Sequence, residues 1–205
     1  MFFSKVVAFG DSHVGNFSEV CKTLAFGPET MHRVGKGSID NHITQFTISG
    51  DLDHNFLWIF CFGEIDVRCH IHKQITKYNR SLDSIVQQLI DEYLSKIITY
   101  NKNIAVCGVV PASKTENQQD KLIDTINSQY NFIGSDIERN LYAKTLNTYL
   151  EYSLNKKNIP YIDMYEKYNI DGFLNSELAA DLIHISHKKY INDKVSQLPI
   201  INNFM

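Results

Sequence analysis

No stretch of this 205-residue sequence approaches the ~20 consecutive apolar residues that a membrane-spanning helix requires. The first strand-like run begins at Lys5 without a charged leader or cleavage site ahead of it, so a soluble, cytoplasmic chain is the expectation. A basic excess is missing as well. Twenty Lys and Arg against 23 Asp and Glu leave a formal charge of −3, which lacks the electrostatic footprint of nucleic-acid binders and excludes nucleic acid as an expected partner. The four cysteines, Cys21, Cys61, Cys69 and Cys107, have no CxxC spacing, and Cys61 and Cys107 lie inside apolar runs. Free buried thiols are expected in preference to disulfides. Repeats and linkers are lacking too, so residues 1–205 are read as one domain, and a 43% hydrophobic content is ample for its core.

What is present is concentrated near the start. Val6 to Gly10 are small or apolar with a β-branched pair, which suits a strand buried on both faces of a parallel sheet. The run stops at Gly10-Asp11-Ser12-His13, a turn that presents Ser12 at the carboxyl edge, where open α/β sheets bind ligands. Such a serine becomes chemically useful when a base reaches it. Asp181 and His184, three positions apart near the other end of the chain, supply one. The carboxylate would fix the imidazole tautomer while the second ring nitrogen takes the proton of Ser12. His187 competes for the role of base and Asp163 for that of acid; Asp181 and His184 are preferred.

The remaining periodicities read as alternating elements. Val14, Phe17, Val20 and Leu24 predict a short helix from Ser12 to near Gly27-Pro28, and Thr30 to Val34 a second strand followed by Gly35 and Gly37. Leu57 to Phe62, Asn103 to Pro111 and Pro160 to Met164 read as further strands, and Ser81 to Ile98 as the most regular helix. Asp136 to Leu154 is a second long helix with Ile137, Leu141, Leu146, Tyr149 and Leu150 on its apolar face. Ala112 to Gly134 is a polar excursion over the carboxyl edge, Ser186 to Leu198 a final helix, and Ile200, Ile201 and Phe204 dock the tail. The alternation predicts a three-layer α/β/α sandwich around a parallel sheet of about five strands.

Phe9-Gly10-Asp11-Ser12-His13, Phe60 to Asp66 and Asp181 to Ser186 together resemble the first, third and fifth blocks of the SGNH (GDSL-type) hydrolase superfamily, over nearly the whole chain. The resemblance implies a flavodoxin-like SGNH fold and a serine hydrolase working through an acyl-enzyme, with no cofactor and no metal. It implies an oxyanion hole made by the N–H of Ser12 and of a second-block glycine, Gly35 or Gly37. His13 after the serine and Ile185-Ser186 after His184 are similar to the branch of polysaccharide O-acetyl esterases and O-acetyltransferases. The implied substrate is a small-molecule or glycan ester, most simply a carbohydrate acetate, and the chain could serve within a larger glycan-modifying protein.

One position departs from the pattern. Ile65 stands where the family carries an asparagine whose side chain donates to the oxyanion, and losing such a donor costs ~2.7–4 kcal/mol of transition-state stabilisation. Arg68 is the nearest substitute, then His70 or His72. Asp11, His13, Glu64, Asp66, Arg68 and His70 are the candidate substrate contacts, while Glu64, Asp66 and Arg68 read equally well as an ion pair that shapes their loop. His70-x-His72 lacks a third ligand, so no metal is expected. Three other readings stand beside hydrolysis: acyl transfer to a sugar by the same triad, glycan binding without catalysis, and a thioester or phosphorylated substrate held by Arg68.

Overall fold

The structure, a computed structural model, describes residues 4–115, 130–181, 183–186 and 188–198. Strand β1 (Val6–Gly10) is buried throughout because its side chains alternate between two cores, Val7 and Phe9 on one face, Val6 and Ala8 on the other. Strand β3 (Leu57–Cys61) divides in the same way, Trp58 and Phe60 against Leu57, Ile59 and Cys61. With β2 (Lys22–Ala25), β4 (Ile104–Cys107) and β5 (Tyr161–Ile162) they form a five-stranded, wholly parallel sheet in the order β2-β1-β3-β4-β5. This is the flavodoxin-like order, and it reverses direction between β1 and β3, the switch point at which such sheets bind ligands.

Helices cover both faces. On the Phe9 and Trp58 side pack α1 (Met31–Gly35), α2 (Asp40–Ile48), α3 (Ile71–Tyr78), α4 (Leu82–Tyr100) and α5 (Asp136–Lys156). A 3-10 helix (Ser12–Phe17), Tyr168 of α6 (Tyr165–Tyr168) and α7 (Lys189–Gln197) cover the other. A short hairpin of β6 (Asn169–Ile170) and β7 (Phe173–Leu174) follows α6. The three layers are those the sequence predicts. All four cysteines are free and buried, and no helix among the described residues is long and apolar enough to cross a membrane.

The second strand lies elsewhere than expected. The helix predicted to run from Ser12 past Leu24 is only the six-residue 3-10 turn, and Lys22 to Ala25, within its expected span, form β2. As an edge strand β2 is nowhere fully buried, so its residues carry little apolar signature; the ladder to β1 sets its state. Conversely, Thr30 to Val34 is helical. Thr30 caps α1 by accepting from Arg33 N (3.1 Å), and the distant Asp66 carboxylate accepts from Met31 N (2.7 Å).

The buried face of α5 also differs from the predicted stripe. Ile137 and Leu141 are 74% and 51% exposed, whereas Asp136 and Arg139 are turned inward. Asp136 accepts from Thr115 N (2.9 Å) and Thr115 Oγ1 (2.8 Å) and pairs with Arg139. A satisfied polar pair thus sets the phase of the helix in place of the two aliphatic residues. Of the polar excursion, residues 116–129 lie outside the described residues, as do Ile200, Ile201 and Phe204 of the tail.

Gly10 ends β1 where the chain can tolerate no side chain. A Cβ there would stand 2.3 Å from the Cys61 carbonyl oxygen and 2.9 Å from Val14 Cβ, whereas one on Gly15 would meet nothing within 4 Å. Gly10→Ala is therefore expected to lower the unfolding free energy by about 1–3 kcal/mol or more, and Gly15→Ala to change it by less than about 0.5 kcal/mol. Urea denaturation of the two variants beside the wild type measures the difference.

Candidate active site

The site grows out of the two ends of the chain. At the end of β1, Asp11 caps the 3-10 helix by accepting from His13 N (2.8 Å), which leaves Ser12 exposed at the carboxyl edge. Near the C-terminus a tight loop is folded by its own carboxylate. Asp181 Oδ1 accepts from Ile183 N and His184 N, each at 2.7 Å, and Ala180 N donates to His184 O (2.7 Å). The same carboxylate presents Oδ2 at 2.7 Å from His184 Nδ1, and His184 Nε2 stands 3.0 Å from Ser12 Oγ. Burial alone would raise the Asp181 pKa, but the His184 ring and the two N–H donors hold it below the usual carboxylate value. Such a relay can take a proton from the serine and hold the resulting imidazolium.

His13 ties the two ends together. Its Nδ1 is 2.9 Å from Asp11 Oδ1, its Nε2 2.8 Å from the Ile183 carbonyl oxygen, and its ring centroid 4.9 Å from that of His184. Both partners are acceptors, so both ring nitrogens must carry protons and the buried ring is an imidazolium. Burial opposes that charge, yet the field and hydrogen bond of Asp11, with Glu64 and Cys61 adding to it, lift the His13 pKa to about 10. Asp11 and His13 are among the expected substrate contacts; the structure instead buries both and engages them with each other and with the loop, on one side of a narrow cavity of about 10 Å³.

The third block divides its residues between two sides. Glu64 lines the same narrow cavity as Asp11 and His13 and lies 3.1 Å from Arg68 Nη2, an i,i+4 pair. Asp66 and His70, expected near the substrate, are turned away by the π-helical turn Asp66–His70. Asp66 caps α1, its Oδ1 is 3.4 Å from His70 Nδ1, and both face a separate cavity of about 250 Å³ shared with His32, Arg80 and Glu92. The hydrogen bond that His70 donates to Asp66 is the main cause that pushes its pKa up to about 9. His72 is bonded to Tyr142 Oη (3.0 Å), so the two histidines serve different partners. Ile65 packs with Cys69 and Tyr130 and supplies no donor.

Gly35 and Gly37, the glycines expected in the oxyanion hole, belong to the end of α1 and not to the end of a strand. Gly35 closes α1 against the backbone of Glu92 and Tyr93, and Gly37 turns at φ +84° over the Asp40 carboxylate. The glycine that follows the true β2 is Gly27. Phe26 N donates to Gly10 O (2.9 Å), so the chain passes beside the end of β1 and leaves Gly27, at φ +70°, on the carboxyl edge. Its sequence signal, a glycine two residues past a strand, is faint because β2 has no fully buried residue to mark it. Asp163, the rival acid, accepts from Tyr165 N (2.8 Å) and Glu166 N (3.2 Å) and serves its own loop. His187, the rival base, lies outside the described residues.

No protein-family model and no curated protein matches the chain. Solved structures do. A putative acylhydrolase from Bacteroides fragilis aligns with a TM-score of 0.58 at 14% identity, over 94% of this chain and 84% of that one. A member of the lipolytic G-D-S-L family from Veillonella parvula gives 0.57 at 13%, over 94% and 96%. A carbohydrate acetylesterase from Sinorhizobium meliloti gives 0.53 at 13%, over 95% and 99%. The chain has the fold of these GDSL-type proteins.

Because the His13 pKa lies above the ordinary value of 6.5 when folded, its stabilisation is complete below about pH 6.5 and disappears as the pH passes about 10. The stability difference between wild type and His13→Asn, read by urea denaturation from pH 6 to 10.5, is expected to start on the order of a few kcal/mol and to shrink with rising pH. The groups facing the ring, Asp11, Glu64, Cys61 and His184, are common to both proteins.

Proposed function

We propose that this protein is a serine hydrolase of the SGNH (GDSL-type) superfamily that cleaves esters, most simply an acetyl ester of a carbohydrate. The observation that carries the proposal is the unbroken relay from Ser12 Oγ to His184 Nε2 at 3.0 Å and from His184 Nδ1 to Asp181 Oδ2 at 2.7 Å. Ser12 Oγ attacks the ester carbonyl as His184 takes its proton, and Asp181 keeps the tautomer with hydrogen on Nδ1 and stabilises the imidazolium. The first N–H groups of the helix at Ser12 have no intrahelical acceptor. The Ser12 N–H and that of Gly27 are the donors we assign to the oxyanion. His184 then protonates the leaving alcohol, and a water it deprotonates releases the acid from Ser12.

The carbohydrate part of the proposal rests on the sequence similarity at His13 and Ile185-Ser186 and on the shared fold with the acetylesterase from Sinorhizobium meliloti. Transfer to a sugar hydroxyl uses the same steps with the sugar in place of water. Product analysis in the presence of acceptor sugars separates the two.

Hydrolysis of p-nitrophenyl acetate is expected for the wild type, with kcat/KM lower by ~10³-fold or more in Ser12→Ala and His184→Ala and by ~10³-fold in Asp181→Asn, where the tautomer is wrong. A serine-directed phosphonate is expected to label the wild type and not Ser12→Ala. A wild-type protein that neither turns over nor labels overturns the proposal and moves glycan binding ahead of catalysis.

A further inference from the structure

A small notch opens beside the relay on the side away from β2. It is lined by Glu64, Arg68, Val110, Ser113, Phe132 and Arg139, and reaches Ile183, the residue before His184. Its volume of about 20 Å³ holds one small polar group, not a sugar ring. The phenyl ring of Phe132 lies 5.4 Å from the Arg68 guanidinium and 5.1 Å from that of Arg139, so both planar cations are held against one aromatic wall.

The two arginines differ in how their charge is met. Arg139 is paired with the buried Asp136 and bonded to Thr115 Oγ1 (2.6 Å), which makes it a fixed wall of the notch. Arg68 is only 7% exposed, has Glu64 as its ion-pair partner, and its Nε has no hydrogen-bond partner among the described residues. A buried guanidinium with an unmet donor is costly, and an incoming anion relieves that cost. Glu64 is the acid of the notch and opposes an anion, but burial, the largest influence on it, raises its pKa in spite of Arg68 and His13 and so weakens that opposition.

We infer that this notch is a subsite for a carboxylate on the substrate, held by Arg68 against Phe132, so that the ester cleaved at Ser12 belongs to an acid-bearing molecule such as a uronic acid. The inference rests on the ester-hydrolase reading only in calling the ligand a substrate; the binding of a carboxylate is independent of turnover.

The test separates the two. Calorimetric titration of Ser12→Ala with glucuronate, glucose and glucose 6-phosphate is expected to give ~10–100-fold tighter binding of glucuronate than of glucose, the worth of one or two charge-assisted hydrogen bonds. That advantage is expected to vanish in Arg68→Gln. Should Arg68→Gln fail to fold, displacement of glucuronate from Ser12→Ala by acetate, and not by glucose, supports the subsite, and failure of acetate to displace it overturns the subsite. Equal binding of glucose and glucuronate overturns the inference, and so does tighter binding of glucose 6-phosphate, which would not suit so small a notch. Glucuronate binding in a protein that hydrolyses no ester leaves the inference standing while the catalytic reading fails. Ester hydrolysis by the wild type with no preference for glucuronate in the titration does the reverse.

Discussion

The structure hinges on a buried positive charge. The His13 imidazolium spans from the Asp11 carboxylate to the Ile183 carbonyl oxygen, joining residues 170 positions apart. A charge removed from water is tolerable only when it is fully paired, and here both N–H groups meet acceptors on two different segments. The pairing therefore dictates where the C-terminal loop sits relative to β1. The loop brings Asp181 and His184 with it, and the His184 ring is further located by lying against the ring of His13. Ser12 follows automatically, since it is the neighbour of the strut.

The parallel sheet supplies the frame that makes this geometry possible. Chain reversal between β1 and β3 opens a crevice at the carboxyl edge, and β1 and β3 approach so closely there that Gly10 abuts the Cys61 carbonyl oxygen. Beyond β3, Gly63 at φ +123° is wedged between Val109 and Met31 and swings the chain into the π-helical turn. That turn sorts successive polar residues. Glu64 lines the narrow cavity beside Asp11 and His13 and Arg68 the notch that reaches Ile183, while Asp66 caps α1 and shares a different cavity with His70. Four polar residues packed into seven positions thus serve two unrelated purposes.

Two kinds of residue escaped the sequence patterns, for different reasons. Edge strand β2 and helix α1 are short, and each is held by partners distant in sequence: the ladder to β1 in one case, the Asp66 carboxylate on Met31 N in the other. Local periodicity carries no record of such partners. The phase of α5 departs from the apolar spacing because an internal Asp136–Arg139–Thr115 network outweighs the pull of Ile137 and Leu141 toward the core. Both departures bear on the site: the first puts Gly27, in place of Gly35 or Gly37, after β2, and the second turns Arg139 into a wall of the notch beside Arg68.

The buried strands β1 and β3, the long helices α4 and α5, the α/β/α layering and the meeting of Ser12 with His184 and Asp181 were legible in the sequence. Each is written in a local signal: unbroken apolar runs, helical spacing, or polar residues directly after a strand or three positions apart. The tertiary structure alone decided that His13 is a buried strut, that Arg68 shares a notch with Ile183 while His70 faces another cavity and His72 meets Tyr142, and that Gly27 stands at the sheet edge. Those outcomes depend on burial and on the meeting of charges from remote segments, which arises only when the chain is folded.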